Sequence, residues 1–399
     1  MESDVFDYPF RQPGALEPPD EWARLRQECP VARIKLETGD EAVLLTRHED
    51  VKSVLADPRF SRQMDADDAA RLTADESGGP FGGENTVATG DAHLRWRRIV
   101  GRYFTAKRMA DLRPRIAEAT ERFVGDMVRH GAPADLGAAV GFPLPVWVIC
   151  QLLAVPDADR DRFAYWSDTL LNLNRYEQSE IDAAQAGFVA YLRDHIADRR
   201  ANPGDDLISE LVAVHDADDG RLSEGELLMT AQGLLIAGHE TTSSMISKMA
   251  AILLSDRRRW ERLLAEPALV RTAVEELLRF DTNAGFGVPR YLSSDVTVSA
   301  GTIAAGTTVI CQLGAANRDP DAIDRADELD VTRAPNGHLT FGAGPHSCIG
   351  QALARTELQT VLEVLLRTLP TLELAVPPEQ LRPTEGLIVG GLHELPVRW

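Results

Sequence analysis

The feature that most constrains this chain is the uninterrupted run LLMTAQGLLIAGHETTSSMISKMAAILL, which follows Ser223 and Glu226 and contains no proline. A Ser and a Glu three positions apart can each satisfy the other's free amide at a helix start, so the pair marks an N-terminus. The run behind it predicts one helix of about thirty residues, some 45 Å at 1.5 Å per residue. A helix of that length needs a large body to bury it.

The rest of the 399 residues supplies that body. Helical periodicity dominates from about Arg108 to Arg200 and from Ser223 to Phe280, broken by the loops GAPADLG and ANPGDD. Strand-like alternation is confined to short pieces: VARIKL, EAVLLT, DVTVSAGTI and GTTVICQL, with Ala300 and Gly301 reading as a hairpin turn. The expected fold is therefore mainly α with small β-sheets. No internal repeat or interdomain linker is visible, which makes residues 1–399 one domain in this reading. Residues 61–90, polar and carrying Gly78, Gly79, Gly82 and Gly83, read as a lid.

Charge and composition remove several classes of function. The chain carries 62 acidic against 42 basic side chains, a formal charge of −20, which argues against a nucleic-acid binder that needs a basic face. The N-terminus has no basic stretch leading into an apolar run, and the longest apolar stretches, near Val146 to Val155 and Leu234 to Ala237, are too short to span a bilayer. The expectation is a cytoplasmic monomer with no membrane partner. Against the acidic background, Arg95, Arg97, Arg98, Arg102, Lys107, Arg108, Arg113 and Arg115 form a basic island, a docking surface for an acidic protein.

Cys29, Cys150, Cys311 and Cys348 show no paired spacing of a zinc site or disulfide framework. The first three read as small buried hydrophobes. Cys348 is different, because FGAGPHSCIG surrounds it with glycines and a proline and then runs into the helix former QALARTELQTVLEVLL. At a helix start, unpaired amides favour a thiolate, the form that binds metal.

That ten-residue pattern, with Phe341, Gly342, Gly344, His346, Cys348 and Gly350, resembles the haem-binding signature of the cytochromes P-450. The resemblance runs through most of the chain in the family's order. In AGHETT, Ala237, Glu240 and Thr241 correspond to the distal helix, where Thr241 and Glu240 would deliver protons and Gly238 would let a ligand approach. Glu276 and Arg279 match the ExxR pair, a structural tether. The family's third partner is a basic residue, but Glu328 stands at its place, and Arg325 is the nearby cation taken as substitute. His93, Arg97, Arg290 and His346 match positions that hold the haem propionates.

The resemblance implies a cytochrome P-450 fold in which the N-terminal part contributes most of the sheet, a helical body covers about 90–290, and the haem-thiolate loop is 341–350. It implies haem b with Cys348 as iron ligand, O2 as co-substrate, and electrons from NAD(P)H through a ferredoxin or flavodoxin and its reductase. The activity implied is monooxygenation of a small, largely apolar natural product. Residues 61–90, 166–176, 234–237, 283–288 and 387–389 would surround the substrate, with Leu234, Ala237, Asn283, Ala284, Phe286, Val288, Leu387 and Ile388 lining it. Two alternatives stand beside this: oxidative coupling of aromatic substrates such as indole-containing cyclic dipeptides, for which Ala284, Gly285 and Gly287 would leave room, and a non-catalytic haem-binding helper.

Overall fold

The computed structural model describes every residue except 1–4, 63, 65, 73–89, 172–175, 218–221, 284 and 385–388. Most of the expected lid and the pocket candidates Ala284, Leu387 and Ile388 thus lie outside the described residues. The described helices begin with α1 (Asp20–Glu28), α2 (His48–Ala56), α3 (Gly90–Val100), α4 (Ala106–His130), α5 (Pro143–Leu152), α6 (Arg160–Leu171) and α7 (Gln178–Ala201). They continue with α8 (Leu207–Asp216), α9 (Glu224–Leu254), α10 (Arg257–Ala265), α11 (Val270–Phe280), α12 (Leu313–Ala316) and α13 (Gln351–Thr368). None of them is long and apolar enough to cross a membrane.

The chain divides into two compact units, each built from two separated stretches: residues 1–94 with 268–349, and residues 95–267 with 350–399. In the first unit the strands are β1 (Val5–Asp7), β2 (Val31–Lys35) and β3 (Glu41–Leu45), then β4 (Val288–Tyr291), β5 (Val296–Val298), β6 (Gly301–Ile303) and β7 (Thr308–Cys311). Five of them form one sheet in the order β1-β2-β3-β7-β4, with β3 parallel to β7 and β4 antiparallel to it. Alternate residues of β2 and β3, including Ala32, Ile34, Ala42 and Leu44, are buried in a core with Tyr8, Leu25 and Ile310. The other core of this unit joins Leu45, Val51, Val54, Leu55 and Phe60 to Val309, Cys311 and Leu339.

The separate β5–β6 hairpin pairs Val298 with Gly301. Its turn residues are therefore Ser299 and Ala300, and Gly301, at φ 133°, opens the returning strand rather than sitting in the turn. Ser61 exchanges backbone hydrogen bonds of 3.1 and 3.0 Å with Tyr291, so the segment expected to be a lid starts stitched to the edge of β4.

In the second unit the long predicted helix is α9, 31 residues. Ser223 Oγ accepts from Glu226 N at 3.1 Å and Glu226 Oε2 accepts from Ser223 N at 2.7 Å, the reciprocal cap that the sequence implies. Residues Met245 to Leu254 of α9 are buried on every side, packed within α5, α10 and α13. Trp166 of α6 stacks on Phe188 of α7 at 5.2 Å and meets Phe163 edge-on, so its ring packs one helix on the other.

Glu357 on α13 is the exception in this core. It is fully buried, and neither carboxyl oxygen has a partner among the described residues. Burial alone pushes its acid well above the usual range. The unfolded chain titrates this group near about 4.3, so the folded state holds the extra proton, and stability falls as pH rises from there toward the folded-state value. Glu357→Gln cannot ionise. It is expected to flatten that decline and to raise the urea midpoint at about pH 7 while changing little below about pH 4, as unfolding titrations across pH would read.

Candidate active site

The cysteine loop belongs to the first unit and is shaped by its glycines. Gly342 (φ 70°) and Gly344 (φ 68°) both take the left-handed backbone that glycine adopts without strain. A Cβ on Gly344 would lie 2.4 Å from Ala56 Cα and 3.0 Å from Ala56 O, so only glycine lets the loop seat on the end of α2. Cys348 N donates to Phe341 O at 2.7 Å and Ser347 N to Gly344 O at 3.1 Å, closing the loop on itself. The result presents Cys348 exposed, outside any disulfide, shortly before α13 starts at Gln351 with Gly350 as its cap residue.

Two imidazoles named from the sequence come together in the same unit. The rings of His93 and His346 stack with centroids 4.0 Å apart. Arg290 on β4 is only 2% exposed, and its single described hydrogen bond runs from Nη1 to Pro289 O at 2.8 Å. Its Nε has no partner among the described residues, and burial pushes the guanidinium down to about 10. A buried cation without a carboxylate is costly unless an anion joins it. An exposed thiol, stacked imidazoles and an uncompensated buried guanidinium are the donor set that an iron porphyrin with two carboxylate arms requires, so the residues fit a haem. Arg97 lies one turn beyond His93 on α3 and is half-buried.

The other set of candidates belongs to the second unit, on α9. Gly233, Ala237 and Thr241 are exposed at successive four-residue steps that start at the exposed Met229, although the helix is buried from Met245 on. A Cβ on Gly233 would meet nothing within 4 Å, so the helix faces open space at that position, with buried Leu234 beside it. Thr241 Oγ1 donates to Ala237 O at 3.2 Å, back-bonding along the helix. Gly238 serves otherwise than the sequence suggests: a Cβ there would lie 2.9 Å from Ile149 Cδ1, so its missing side chain admits α5 rather than a ligand.

Glu240 is half-buried, and burial followed by the charge of Asp168 raises its acid above the usual range. His239 beside it is buried, its Nδ1 3.0 Å from Leu235 O, and burial lowers it below the usual imidazole value. The 3.6 Å approach of His239 Nε2 to Glu240 Oε2 therefore joins two groups that both lean toward the neutral form. A carboxyl whose acid is raised, one residue from an exposed hydroxyl, suits proton delivery.

The tether is where the structure departs from the expected residues. Glu276 and Arg279 are both 0% exposed and paired at 2.7 and 2.8 Å. The third side chain is Arg333, whose Nε reaches Glu276 Oε2 at 3.1 Å, with Asn336 Nδ2 at 3.0 Å from the same oxygen. Arg325 is not the substitute: it is 57% exposed and pairs with Asp324 and Glu328 on the surface. Glu328 contributes its carbonyl instead, accepting from Arg279 Nη2 at 2.9 Å. The missed signal was Arg333 in VTRAPNGH, a cation just ahead of a proline turn.

Among the pocket candidates of the first unit, Asn283 is buried with φ 56° and Val288 packs on the β3–α2 core. The Phe286 ring turns into the N-terminal core, edge-on to Tyr8 at 5.4 Å. Gly287 leaves no room for a second ring, because a Cβ there would strike Ile310 Cγ2 at 2.8 Å and Cys311 O at 3.0 Å. The basic island is also narrower than its composition implies. Arg95, Lys107, Arg108 and Arg113 are paired with Glu226, Asp111, Glu210 and Glu363, and exposed Arg115 bonds to Gln151, which leaves Arg98 and Arg102 exposed without a side-chain partner among the described residues.

A family model described as cytochrome P450 matches residues 163–390. The chain is 42% identical over 400 residues to nocardicin C N-oxygenase of Nocardia uniformis subsp. tsuyamanensis, covering 100% of this chain and 99% of that one. It is 43% identical over 395 residues to the mycinamicin IV hydroxylase/epoxidase of Micromonospora griseorubida, covering 98% of each. Among solved structures, SgvP, involved in the tailoring step of griseoviridin, superposes over 100% of both chains with a TM-score of 0.94 at 37% identity. The chain belongs to the cytochrome P450 family. It is accordingly a haem-dependent oxidoreductase, a monooxygenase that uses O2.

The tether makes a direct prediction. Arg333→Ala removes a charge-assisted bond to a buried carboxylate and is expected to cost on the order of 2 kcal/mol of stability. Arg325→Ala, at an exposed site, should leave the unfolding midpoint where it was, and chemical denaturation of the two variants compares them directly.

Proposed function

We propose that this enzyme tailors a largely apolar natural product by inserting one oxygen atom from O2. Cys348 would bind the haem iron, His93, Arg97, Arg290 and His346 would hold the propionates, and Phe341, Gly342, Gly350 and Ala237 would contact the macrocycle. When bound, the haem supplies O2 activation. The chain's own part would be proton delivery: burial raises the Glu240 acid and so favours its protonated form, and the Thr241 hydroxyl, exposed one residue further along α9, would release one proton as it takes up another. The raised acid of Glu240, next in sequence to the exposed Thr241 on α9, is the observation carrying the proposal, since a haem-binding helper has no use for a proton donor. The named reactions of its relatives, N-oxygenation of nocardicin C and hydroxylation or epoxidation of mycinamicin IV, support a natural product as substrate.

Leu234, Ala237, Asn283 and Val288 are the described residues proposed to contact the substrate, together with whatever face of Phe286 the N-terminal core leaves open. Electrons are proposed to come from NAD(P)H through a ferredoxin or flavodoxin and its reductase, docking at Arg98 and Arg102. Oxidative coupling loses part of its support, because Gly287 packs against β7 instead of leaving space.

Three outcomes test this. Cys348→Ser should abolish the red-shifted Soret band of the reduced carbonyl complex; a band of unchanged position would overturn the ligand assignment. Thr241→Ala should retain substrate-induced spectral shifts but release more hydrogen peroxide per NADPH, and unchanged coupling would remove Thr241 from proton delivery. Turnover of a natural-product panel that includes nocardicin C and mycinamicin IV under labelled O2 should give a product carrying one labelled oxygen by mass spectrometry, whereas an unlabelled dimer or cross-coupled product would establish coupling instead.

A further inference from the structure

The described residues from Asp281 to Gly287, which lead into β4, lie outside any helix or strand. Asn283 N donates to Asp281 Oδ1 and Gly285 N to Asn283 O, both at 3.0 Å, and two residues, Asn283 and Gly287, take positive φ values of 56° and 89°. A loop of this kind is held from outside. Its carbonyls at 285 and 286 are held by two buried side chains from distant parts of the sequence. Gln312 Nε2 donates to Gly285 O at 3.2 Å and to Tyr8 Oη at 2.9 Å, and the Tyr8 hydroxyl donates in turn to Phe286 O.

Neither side chain needs these bonds to stay in place. The N-terminal strand is already fixed by the β1–β2 ladder and by Tyr8 N on Lys35 O at 2.9 Å. Gln312 is fixed by its backbone N on Leu45 O at 3.0 Å and by Oε1, which caps α12 by accepting from Gly314 N at 3.1 Å. Both are almost fully buried, Tyr8 at 3% and Gln312 at 0% exposure, and burial raises the Tyr8 phenol so that it stays a donor. The free valence of each is spent on the loop.

We infer that Tyr8 and Gln312 are positioning residues for substrate: by clamping the carbonyls of Gly285 and Phe286 they fix the wall that Asn283 and Val288 present. This deepens the reading above, that residues 283–288 line the substrate pocket, and rests on it. The clamp sets affinity for large ligands, which press on that wall, and leaves small ones untouched.

The haem-loaded full chain tests the inference with two azole probes, imidazole and the bulky clotrimazole, titrated by their Soret shifts, alongside amide hydrogen exchange of residues 281–291. Tyr8→Phe keeps the ring packed on Phe10 and Phe286 and removes only the hydroxyl. It is expected to weaken clotrimazole about fivefold, with exchange at 286–288 faster by a similar factor, while imidazole affinity and the reduced carbonyl spectrum stay unchanged. Gln312→Leu should do the same, and the double variant should cost less than the two separately, since one clamp is removed twice. Asn283→Ala tests the underlying reading. If Asn283→Ala shifts the ratio of clotrimazole to imidazole affinity and Tyr8→Phe does not, the clamp is merely structural and the inference fails alone. If neither variant moves the ratio, the segment is no pocket wall, and the inference falls together with the reading beneath it.

Discussion

The buried pair of Glu276 and Arg279 is the contact on which the approach to the cysteine loop depends. Arg279 spends its guanidinium on Glu276 and on the carbonyls of Asn317, Ala326 and Glu328. Glu276 collects the Arg333 and Asn336 side chains and the backbone N of Asp330 at 2.8 Å. Two side chains on one turn of α11 thus anchor most of the irregular stretch between α12 and Phe341. A buried ion pair is weak evidence for net stability, because desolvation cancels much of the attraction. Its value here is geometric: a stretch without a sheet or helix to define it acquires one conformation, and Asn317, with Oδ1 on Leu339 N at 2.6 Å, passes that definition to the start of the loop.

Glycine performs the next step by close approach. At Gly344 the loop backbone comes within the radius of a missing methyl group from Ala56, and at Gly238 α9 does the same against Ile149 of α5. Both positions belong to motifs that point to a ligand, yet in both the absent side chain makes room for protein. The exposed surface lies elsewhere, along Gly233, Ala237 and Thr241, where the helix carries small residues.

What the sequence made legible was whatever is written locally. The capping box gave the start of α9 to the residue, the alternating segments gave β2, β3, β5, β6 and β7 but neither β1 nor β4, and the glycine-flanked cysteine gave the loop, because each depends on neighbours within a few positions. What it hid depends on tertiary contact. Position 328 carries the wrong side chain for the tether, but the tether uses its carbonyl, which every residue has, while the needed cation comes from Arg333 five positions on. Phe286 reads as a pocket residue until the N-terminal segment, almost three hundred positions earlier, arrives to pack against it. The hairpin turn slipped by one residue because a glycine suits the first position of a strand as well as a turn.

The order of strands in the large sheet has a consequence for the making of the molecule. β3 lies in the middle of that sheet, paired on one side with its neighbour β2 and on the other, in parallel, with β7. That second partner follows roughly 270 residues later, and at about 5–20 residues per second a ribosome takes between a quarter of a minute and a minute to deliver it. Throughout that time β3 exposes a row of unpaired amides and carbonyls beside Val43 and Leu45, an edge able to join the same edge of another nascent chain. The acidic excess of the sequence, which sets such chains repelling one another, guards the interval before the fold can guard itself.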